Sequence, residues 1–439
     1  MSVITVKLWG TIVGYLGYRP GQTEVATFEY DEAFMEMGVQ IAPLKMSFPP
    51  SRHDFAHISQ RTFHGLPGIF ADSLPDKFGN QMIDLYFAQK GIPDTQITAL
   101  DRLGYIGHRS MGALEYEPSE MNGTAMDGGT LDIHLLGELA DMVLNNKEEF
   151  ARRLSEAEHK SEMLAIIRVG SSAGGARSKA LVATDSMGRF YDGTVDQGGY
   201  KRYWLLKFDS SGNSDREVHK DPKGMTRVEY VYSLIARECG IDIPITSYVI
   251  NGGDFHYLIE RFDRIANDGQ LSKVHYVSLA GMMHYDRDTT GAYSYEQMVL
   301  CCKQLGLGQG ALTELFRRAV FNIVGRNQDD HAKNFGFLMD RSGRWQLAPA
   351  FDMVYSYDPG GRWTKAHQFS LSGKRDNFTR DDLYAFAEKC NLREPKASGI
   401  IDRVLEAFGK FEGMAQEYEV PDVLRETIRS ALRIHSLRS

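Results

Sequence analysis

The chain has 439 residues, 42% of them hydrophobic and 25% charged, which is typical of a globular protein with a well-buried core. Its net charge of −8 at pH 7 and its isoelectric point near 5.9 argue against an autonomous nucleic-acid binder, which would be basic. The first residues show no signal-peptide pattern, and no apolar stretch is long enough to cross a bilayer. We therefore expect a soluble cytoplasmic protein with no membrane partner.

The cysteine pattern gives no sign of a disulfide framework or a metal site. The chain has four cysteines with neither a CxxC pair nor metal-ligand spacing: Cys239, Cys301, Cys302 and Cys390. We expect these thiols to be reduced and mostly structural.

The first quarter of the chain alternates apolar and polar residues with a period of two. This pattern predicts short antiparallel strands over residues 3–9, 12–18 and 26–30. A helix is predicted between Asp76 and Lys90. The glycine-rich, polar interval over residues 115–129 then indicates a domain boundary. We predict a β-rich N-terminal domain over residues 1–125.

A second unit is predicted over residues 126–265. Its expected elements, in chain order, are helices over 131–145 and 147–167, a glycine-rich loop over 170–179, strands over 180–184 and 202–208, a polar loop over 209–224, a helix over 226–239, and strands over 245–250 and 255–262. Thr226 and Glu229 have the spacing of a capping box, which predicts Thr226 as the N-cap of the third helix.

The remaining residues, 266–439, are predicted to be mostly helical. Helices are expected over 295–305, 312–327, 380–390, 396–417 and 421–437, with a hairpin over 335–352 between the second and the third. A glycine-rich loop, a strand that ends in a lysine and a helix with an early Glu precede this helical half. That order predicts an α+β, two-lobed protein-kinase-like fold with an N-terminal cap.

One short stretch suggests the chemistry. Asp329 lies five positions before Asn334, and Asp352 ends the following hairpin. Phosphoryl transfer needs a carboxylate to accept the hydroxyl proton, and an Asn and an Asp to hold Mg²⁺. The same Asp-to-Asn spacing occurs in the catalytic loop of protein kinases. We therefore predict that Asp329, rather than its neighbour Asp330, is the base.

Other residues of this stretch are expected to border the nucleotide. His331 is predicted mainly to shape the loop through hydrogen bonds. Lys333 either neutralises the transferring phosphoryl group or is solvated, and the sequence does not decide between these. The alternative for Asp352 is a structural aspartate that caps the next segment.

A nucleotide site is also predicted in the second unit. Backbone N–H groups of a glycine-rich loop can surround phosphates, and here that prediction covers Ser172, Ala173, Gly174 and Gly175. Lys207 is expected to contact the phosphates, with Glu229 as its partner. In the same scheme, Glu260 and Phe262 flank adenine at a hinge; the alternative for each is a buried strand end.

The chain resembles the HipA family of bacterial serine/threonine kinases. The motifs are residues 329–334, the loop over 172–179 and the segment Glu260-Arg261-Phe262-Asp263-Arg264; residues 66–76 and 106–114 look like the family's N-terminal subdomain. The resemblance implies that Asp329 is the catalytic base and that Asn334 and Asp352 bind Mg²⁺. It also implies that Ser172, or the adjacent Ser171, is autophosphorylated, which in the family displaces the phosphate loop and inactivates the kinase.

The resemblance also implies partners. Family members act as toxins of type II toxin–antitoxin systems and are neutralised by a HipB-type, DNA-binding antitoxin, so DNA contact is expected only through that antitoxin. Their substrate is typically a translation component, and an aminoacyl-tRNA synthetase is the best-known example. Two alternatives stay open: a lipid or small-molecule kinase, because residues 329–334 also resemble the phosphoinositide-kinase loop, and a non-catalytic co-repressor that binds the antitoxin.

Overall fold

A computed structural model describes residues 3–22, 24–120, 129–155, 160–171, 177–199, 201–209, 222–267 and 270–438. Within these ranges, no helix combines the length and the apolar character that a bilayer crossing requires. The predicted strands over 3–9, 12–18 and 26–30 are present, each within a residue of the predicted bounds.

The N-terminal region combines an antiparallel sheet with several short helices. Its elements are β1 (Val3–Leu8), β2 (Thr11–Tyr18), β3 (Ala26–Tyr30), α1 (Glu32–Glu36), β4 (Arg52–His53), α2 (Gln60–Phe63), α3 (Gly68–Ala71), α4 (Lys77–Gln89), α5 (Ala99–Ile106) and β5 (Leu114–Glu117). The strand order is β4-β3-β2-β1-β5. The predicted polar interval therefore begins with a strand, because β5 pairs with β1 from Leu114 to Glu117.

The second region is a five-stranded antiparallel sheet flanked by helices. Its elements are α6 (Ile133–Asn145), α7 (Lys147–Ser155), α8 (Lys160–Gly170), β6 (Lys179–Thr184), β7 (Phe190–Asp192), β8 (Arg202–Lys207), α9 (Met225–Glu238), β9 (Thr246–Asn251) and β10 (Asp254–Glu260). The strand order is β7-β6-β8-β10-β9, which places β8 at the centre.

The third region is mostly helical, as predicted. Its elements are β11 (Arg264–Asn267), β12 (Gln270–Lys273), β13 (His275–Ser278), α10 (Leu279–Met283), α11 (Tyr295–Gln304), α12 (Gln309–Val324), β14 (Gly336–Met339), β15 (Trp345–Leu347), α13 (Arg380–Lys389), α14 (Glu394–Phe408), α15 (Phe411–Glu417) and α16 (Asp422–Ala431). Strand β14 pairs with both β13 and β15, so the predicted hairpin is part of a three-stranded sheet.

The hydrophobic cores cross the boundaries between these regions. One core joins the N-terminal sheet to α9 and to the C-terminal helices, and the other joins α4 to α6, α8, β6 and β8. A Cβ on Gly281 of α10 would lie 3.1 Å from the carbonyl oxygen of Gly68, so two glycines allow α3 and α10 to touch. The domain limits at residues 125 and 265 stay predictions.

Four predictions about helices are wrong. The helix predicted over 421–437 ends at Ala431, and the described residues of the one predicted over 147–167 belong to two helices, α7 and α8. Gly224, not Thr226, is the N-cap of α9; Thr226 lies inside the helix and its hydroxyl is buried. The capping box fails because Glu229 points to Lys207 instead, at 2.5 Å. The single helix predicted over 396–417 is two helices, α14 and α15, separated at Gly409 and Lys410. Glycine has a poor helix propensity, which favours a break at this point.

Candidate active site

A cleft of about 820 Å³ lies between the strands of the second region and the loops of the third. Eight of the predicted site residues line it: Lys207, Glu260, Phe262, Asp329, His331, Lys333, Asn334 and Asp352. The predicted phosphate-loop residues Ser172, Ala173, Gly174 and Gly175 lie outside the described residues. The fold thus brings side chains from distant parts of the sequence to one cavity of nucleotide size.

Asp329 lies in a loop that backbone contacts hold in place. Its N–H donates to Ser356 Oγ at 2.9 Å, and its carbonyl oxygen accepts from Asn334 Nδ2 at 2.8 Å. Its side chain remains 49% exposed at the cleft, with His331 Nε2 3.9 Å from the carboxylate. His331 Nδ1 accepts from the Lys333 N–H at 3.2 Å, so the side chain takes part in the hydrogen bonds within the loop. The arrangement presents a carboxylate whose backbone is fixed.

Asp330 has the opposite environment. It is 1% exposed, and it accepts hydrogen bonds from Tyr295 Oη at 2.7 Å and from the Gln368 N–H at 2.7 Å. His367 Nδ1 lies 2.9 Å from the same carboxylate. Burial would raise the pKa of Asp330, but His367 and the hydrogen-bond donors outweigh burial and hold that pKa below its ordinary value. Asp330 therefore anchors the loop, and it is absent from the described lining of the cleft.

Lys207 ends β8 inside the cleft and contacts two carboxylates. Its Nζ lies 2.5 Å from Glu229 Oε1 on α9 and also contacts Asp352 Oδ1. Burial alone would lower the pKa of Lys207, but Asp352 and Glu229 raise it above its ordinary value. A charged lysine is thus held where β8, α9 and the hairpin meet, in the arrangement expected of a phosphate contact.

Asp352 has a left-handed backbone, with φ of +53°. This conformation is uncommon for a residue other than glycine and occurs often at functional sites. Burial acts to raise the pKa of Asp352, but the ammonium groups of Lys207 and Lys179 outweigh it and lower that pKa to about 2. The carboxylate is therefore ionised at neutral pH and able to bind a cation.

The donor set suits Mg²⁺ that is completed by phosphate. In the described part of the chain, no group of three or more His, Cys, Asp or Glu side chains forms a ready-made metal site. Asp352 and Asn334 both line the cleft and offer a carboxylate and an amide oxygen. Mg²⁺ is commonly held by one or two carboxylates plus substrate phosphates, which is what these two residues allow.

Lys179 is a site residue that the sequence reasoning missed. It begins β6, lies directly opposite Lys207 in the antiparallel pairing and lines the cleft. Burial, together with the Lys207 ammonium, lowers the pKa of Lys179 to about 8. Two neighbouring buried lysines require negative charge close by, and Asp352, Asp76 and Glu229 supply it here. A signal was available, because Lys179 stands where the glycine-rich loop meets a strand.

The far end of the cleft is apolar and bordered by the predicted hinge. The Phe262 ring lies 5.8 Å from Phe351 and 5.6 Å from Tyr276, between ring centroids. Burial raises the pKa of the half-buried Glu260, opposed only by Arg202. Apolar walls with a few polar groups are typical of a site for a planar base.

A buried ion network fixes this hinge to the N-terminal region. Arg261 Nη2 and Arg264 Nη1 lie 2.7 and 2.8 Å from Asp263 Oδ2. The same oxygen accepts from the Gly112 N–H at 2.7 Å, and Arg264 Nη2 donates to the Ser110 carbonyl at 2.8 Å. The two arginines outweigh burial and lower the pKa of Asp263 to about 2.

The N-terminal region also supplies part of the cleft wall, which the sequence did not indicate. Asp76 Oδ1 lies 3.3 Å from Lys333 Nζ and 2.9 Å from Arg287 Nη1. Asp72 accepts from the Ser278 N–H at 2.8 Å and from Ser278 Oγ at 2.7 Å. Burial raises the pKa of Asp72 to about 6, although Lys333 and Ser278 act the other way. Lys333 is therefore paired across regions rather than solvated.

Ser171 begins the glycine-rich loop in a closed environment. It is 0% exposed, and its Oγ donates to the Arg168 carbonyl at 3.0 Å. Arg109 Nη1 lies 3.4 Å from the same hydroxyl. A Cβ on Gly79 of α4 would lie 3.0 Å from the Ser171 carbonyl oxygen, so α4 packs closely against the backbone of Ser171.

Comparisons with known proteins place the sequence in a family. The HipA-like C-terminal domain matches residues 171–410, and the HipA N-terminal domain matches residues 4–117. Candidate kinase Y4mE of Sinorhizobium fredii (strain NBRC 101917 / NGR234) is 25% identical over 371 residues, which cover 81% of this chain and 78% of that protein. A candidate kinase of Haemophilus influenzae is 32% identical over 142 residues, which cover 29% of this chain but only 40% of that protein.

A solved structure shows the same fold over almost the whole chain. A chain of the Shewanella oneidensis MR-1 toxin–antitoxin complex of HipA, HipB and operator DNA is 15% identical, with a TM-score of 0.66. The superposition covers 97% of this chain and 94% of that one. At this identity the likeness is one of fold, and it agrees with the predicted two-lobed α+β architecture.

Proposed function

The chain belongs to the HipA family, and on that premise we propose that it is an ATP- and Mg²⁺-dependent serine/threonine protein kinase of the toxin type. The observation that carries the proposal is the convergence of Asp329, Asn334, Asp352 and Lys207 on one cleft. These four groups come from three separate segments and match the parts that phosphoryl transfer needs.

The cleft has a polar end, which suits the phosphates of ATP, and an apolar end, which suits its adenine. Lys179 and Lys207 provide positive charge for the phosphates, while Phe262 and Glu260 border the apolar end for adenine. Two lysines opposite each other on paired strands would lose part of their mutual repulsion when an anionic phosphate chain lies between them. The preceding loop, Ser172 to Gly175, is proposed to add backbone donors.

Each residue at the polar end has a role in the proposed transfer. Asp329 accepts the proton of the acceptor hydroxyl as the hydroxyl oxygen attacks the γ-phosphorus of ATP, whose bond to the β-phosphate oxygen breaks and releases ADP. Asn334 and Asp352 would hold Mg²⁺, which supplies charge neutralisation for the phosphate oxygens. Lys333, restrained by Asp76 at 3.3 Å, is placed to stabilise the charge that develops on the transferred group.

Regulation by autophosphorylation is proposed at Ser172 rather than Ser171. Ser171 is fully buried and its hydroxyl already contacts Arg168, Arg109 and Tyr105, so it is a poor acceptor in this conformation. A phosphoryl group on the neighbouring serine would add about two negative charges beside the nucleotide phosphates and repel them.

The proposed partner is a HipB-like antitoxin, since the solved structure of the same fold is a HipA–HipB–DNA complex. With a net charge of −8, the chain is expected to reach DNA only through such a partner. The proposed substrate is a cytoplasmic protein, with an aminoacyl-tRNA synthetase as the family precedent.

Phosphosite mass spectrometry tests this proposal directly. The protein is incubated with ATP and Mg²⁺, alone and with cell lysate, beside an Asp329→Ala variant. The expected result is phosphate on Ser172 and on a lysate protein, both absent with the variant. Labelled lipid instead of protein would support a lipid kinase. No transfer to any acceptor, combined with antitoxin binding, would support the co-repressor and overturn the kinase.

A further inference from the structure

The segment after α16 packs against the loop over residues 326–334, which carries the proposed base and is called the catalytic loop below. Arg433 follows α16, is only 6% exposed and lies beneath the exit of α12. Its N–H donates to the Val324 carbonyl at 3.0 Å, and its Nη1 donates to the Ile323 carbonyl at 2.9 Å. The last carbonyls of a helix have no partner within the helix. Arg433 therefore satisfies two of these carbonyls on α12 and fixes the direction in which the chain leaves it.

The same guanidinium group connects to the residue beside the proposed base. Arg433 Nη1 lies 3.0 Å from His367 Nε2, and His367 Nδ1 lies 2.9 Å from Asp330 Oδ2. Arginine can only donate hydrogen bonds, so His367 Nε2 must accept and its ring proton must lie on Nδ1. That proton is then donated to Asp330. A continuous buried chain of hydrogen bonds thus runs from Arg433 to the position next to Asp329.

A second link joins the same two segments. Arg326 Nε donates to the Ala431 carbonyl at 2.9 Å, and its Nη1 lies 3.4 Å from Asp376 Oδ1. Arg433 contacts the same Asp376 oxygen. Arg326 begins the catalytic loop with a left-handed φ of +54°. Arg326 directly, and Asp330 through His367, are therefore both linked to the C-terminal segment.

We infer that Arg433 is a positioning residue for phosphoryl transfer, acting through His367 and Asp330 on the placement of Asp329. The rate effect rests on the proposed kinase function, whereas the positioning does not. Without the guanidinium, the Ile323 carbonyl and His367 Nε2 would be buried without a donor, so the loop would have to rearrange.

The main test compares Arg433→Ala with Arg429→Ala. Arg429 lies on α16 and is 53% exposed in its pairs with Glu426 and Glu412, so it is a matched arginine away from the loop. Three quantities are measured on each variant and on the unmodified chain: turnover with ATP and Mg²⁺, the affinity and stoichiometry of nucleotide binding, and amide hydrogen exchange of residues 326–334.

We expect Arg433→Ala to lower kcat about 10- to 100-fold, because a misplacement of about 1 Å has an effect of that order. The KM for ATP and the number of nucleotide sites should stay unchanged, because Lys207 and the hinge lie in the other lobe. Exchange of residues 326–334 should become faster. Arg429→Ala should match the unmodified chain in all three measurements.

Two substitutions of His367 keep the test valid if Arg433→Ala does not fold. His367→Asn retains a side-chain N–H near the place of Nδ1, and His367→Gln retains a polar group near the place of Nε2. We expect Asn to preserve more of kcat than Gln, because the bond to Asp330 is the one nearer the base.

Different failures lead to different conclusions. Equal kcat in Arg433→Ala and Arg429→Ala overturns the inference, as does a loss of turnover in proportion to a loss of nucleotide sites. If the unmodified chain transfers no phosphate, the proposed function fails instead. In that case, faster exchange confined to residues 326–334 in Arg433→Ala supports the positioning role, and unchanged exchange overturns it.

Discussion

The two walls of the cleft are held by different kinds of interaction. The wall from the third region places Asp329 and Asn334 on a loop fixed by hydrogen bonds to carbonyls, hydroxyls and amides. The wall from the second region places Lys179 and Lys207 on paired strands and balances their charges with Glu229 and Asp352. Hydrogen bonds thus position the first wall, and ion pairs position the second. Substitutions in the first wall should therefore lower kcat, whereas substitutions in the second should lower stability and nucleotide affinity.

The largest expected effect comes from removing the proposed base, which belongs to the first wall. Asp329→Ala should lower kcat about 10²- to 10⁴-fold, the range of general base catalysis, with nucleotide affinity and stability nearly unchanged. Steady-state kinetics and calorimetric nucleotide titration check this. Asp381→Asn, an exposed substitution in the first turn of α13, serves as the control. Full turnover by Asp329→Ala would remove the residue from the mechanism.

The second wall should respond in stability as well as in binding. Lys207→Met would remove the cation that contacts both Glu229 and Asp352. Breaking a buried pair in this way costs about 3–5 kcal/mol. Urea unfolding measures the loss. The double variant Lys207→Met with Glu229→Gln should recover part of the stability but none of the nucleotide affinity. Recovery of both would show that the lysine is structural and does not contact phosphate.

A third test asks whether the buried carboxylate of Asp72 lowers the stability of the protein when it is ionised. The pKa of Asp72 is raised from 3.8 to about 6, so its stabilising effect is complete below pH 3.8 and is lost as pH rises through 6. Asp72→Asn cannot ionise, so its stability relative to that of the unmodified chain should rise between pH 5 and pH 7, by about 1 kcal/mol. Urea unfolding at these two pH values checks it. A difference that does not change with pH would contradict the raised pKa.

The smallest expected effect is on the first wall. Ser356 Oγ accepts from the Asp329 N–H at 2.9 Å and donates to Asn327 Oδ1 at 3.2 Å. Ser356→Ala removes both bonds, and a single bond of this kind contributes about 1 kcal/mol. The expected fall in kcat is roughly fivefold, with an unchanged KM for ATP. Ser342→Ala in the exposed hairpin turn should have no effect; equal kinetics in the two variants would mean that Ser356 does not position the loop.

Much of the fold was predictable because its signals are local. Period-two alternation located β1 to β3, and apolar spacing located most of the long helices within a few residues. The errors came from contacts that span the sequence. Thr226 has the spacing of a capping residue, but Glu229, its supposed partner, is attracted by Lys207, which comes from another strand. The hairpin of β11 and β12 was missed, since strands of only four residues give little pattern.

By itself, the sequence determined the order of elements and the spacing of Asp329, Asn334 and Asp352, because these depend on residues that are close along the chain. Only the tertiary structure decided that Asp329 faces the cleft while Asp330 is buried, since that depends on His367, Tyr295 and Gln368. The same holds for Lys179 beside Lys207 and for Arg433 beneath α12. Buried charges and the last carbonyl groups of a helix pair with whatever groups lie next to them in the folded chain. Those groups come from residues far apart in the sequence.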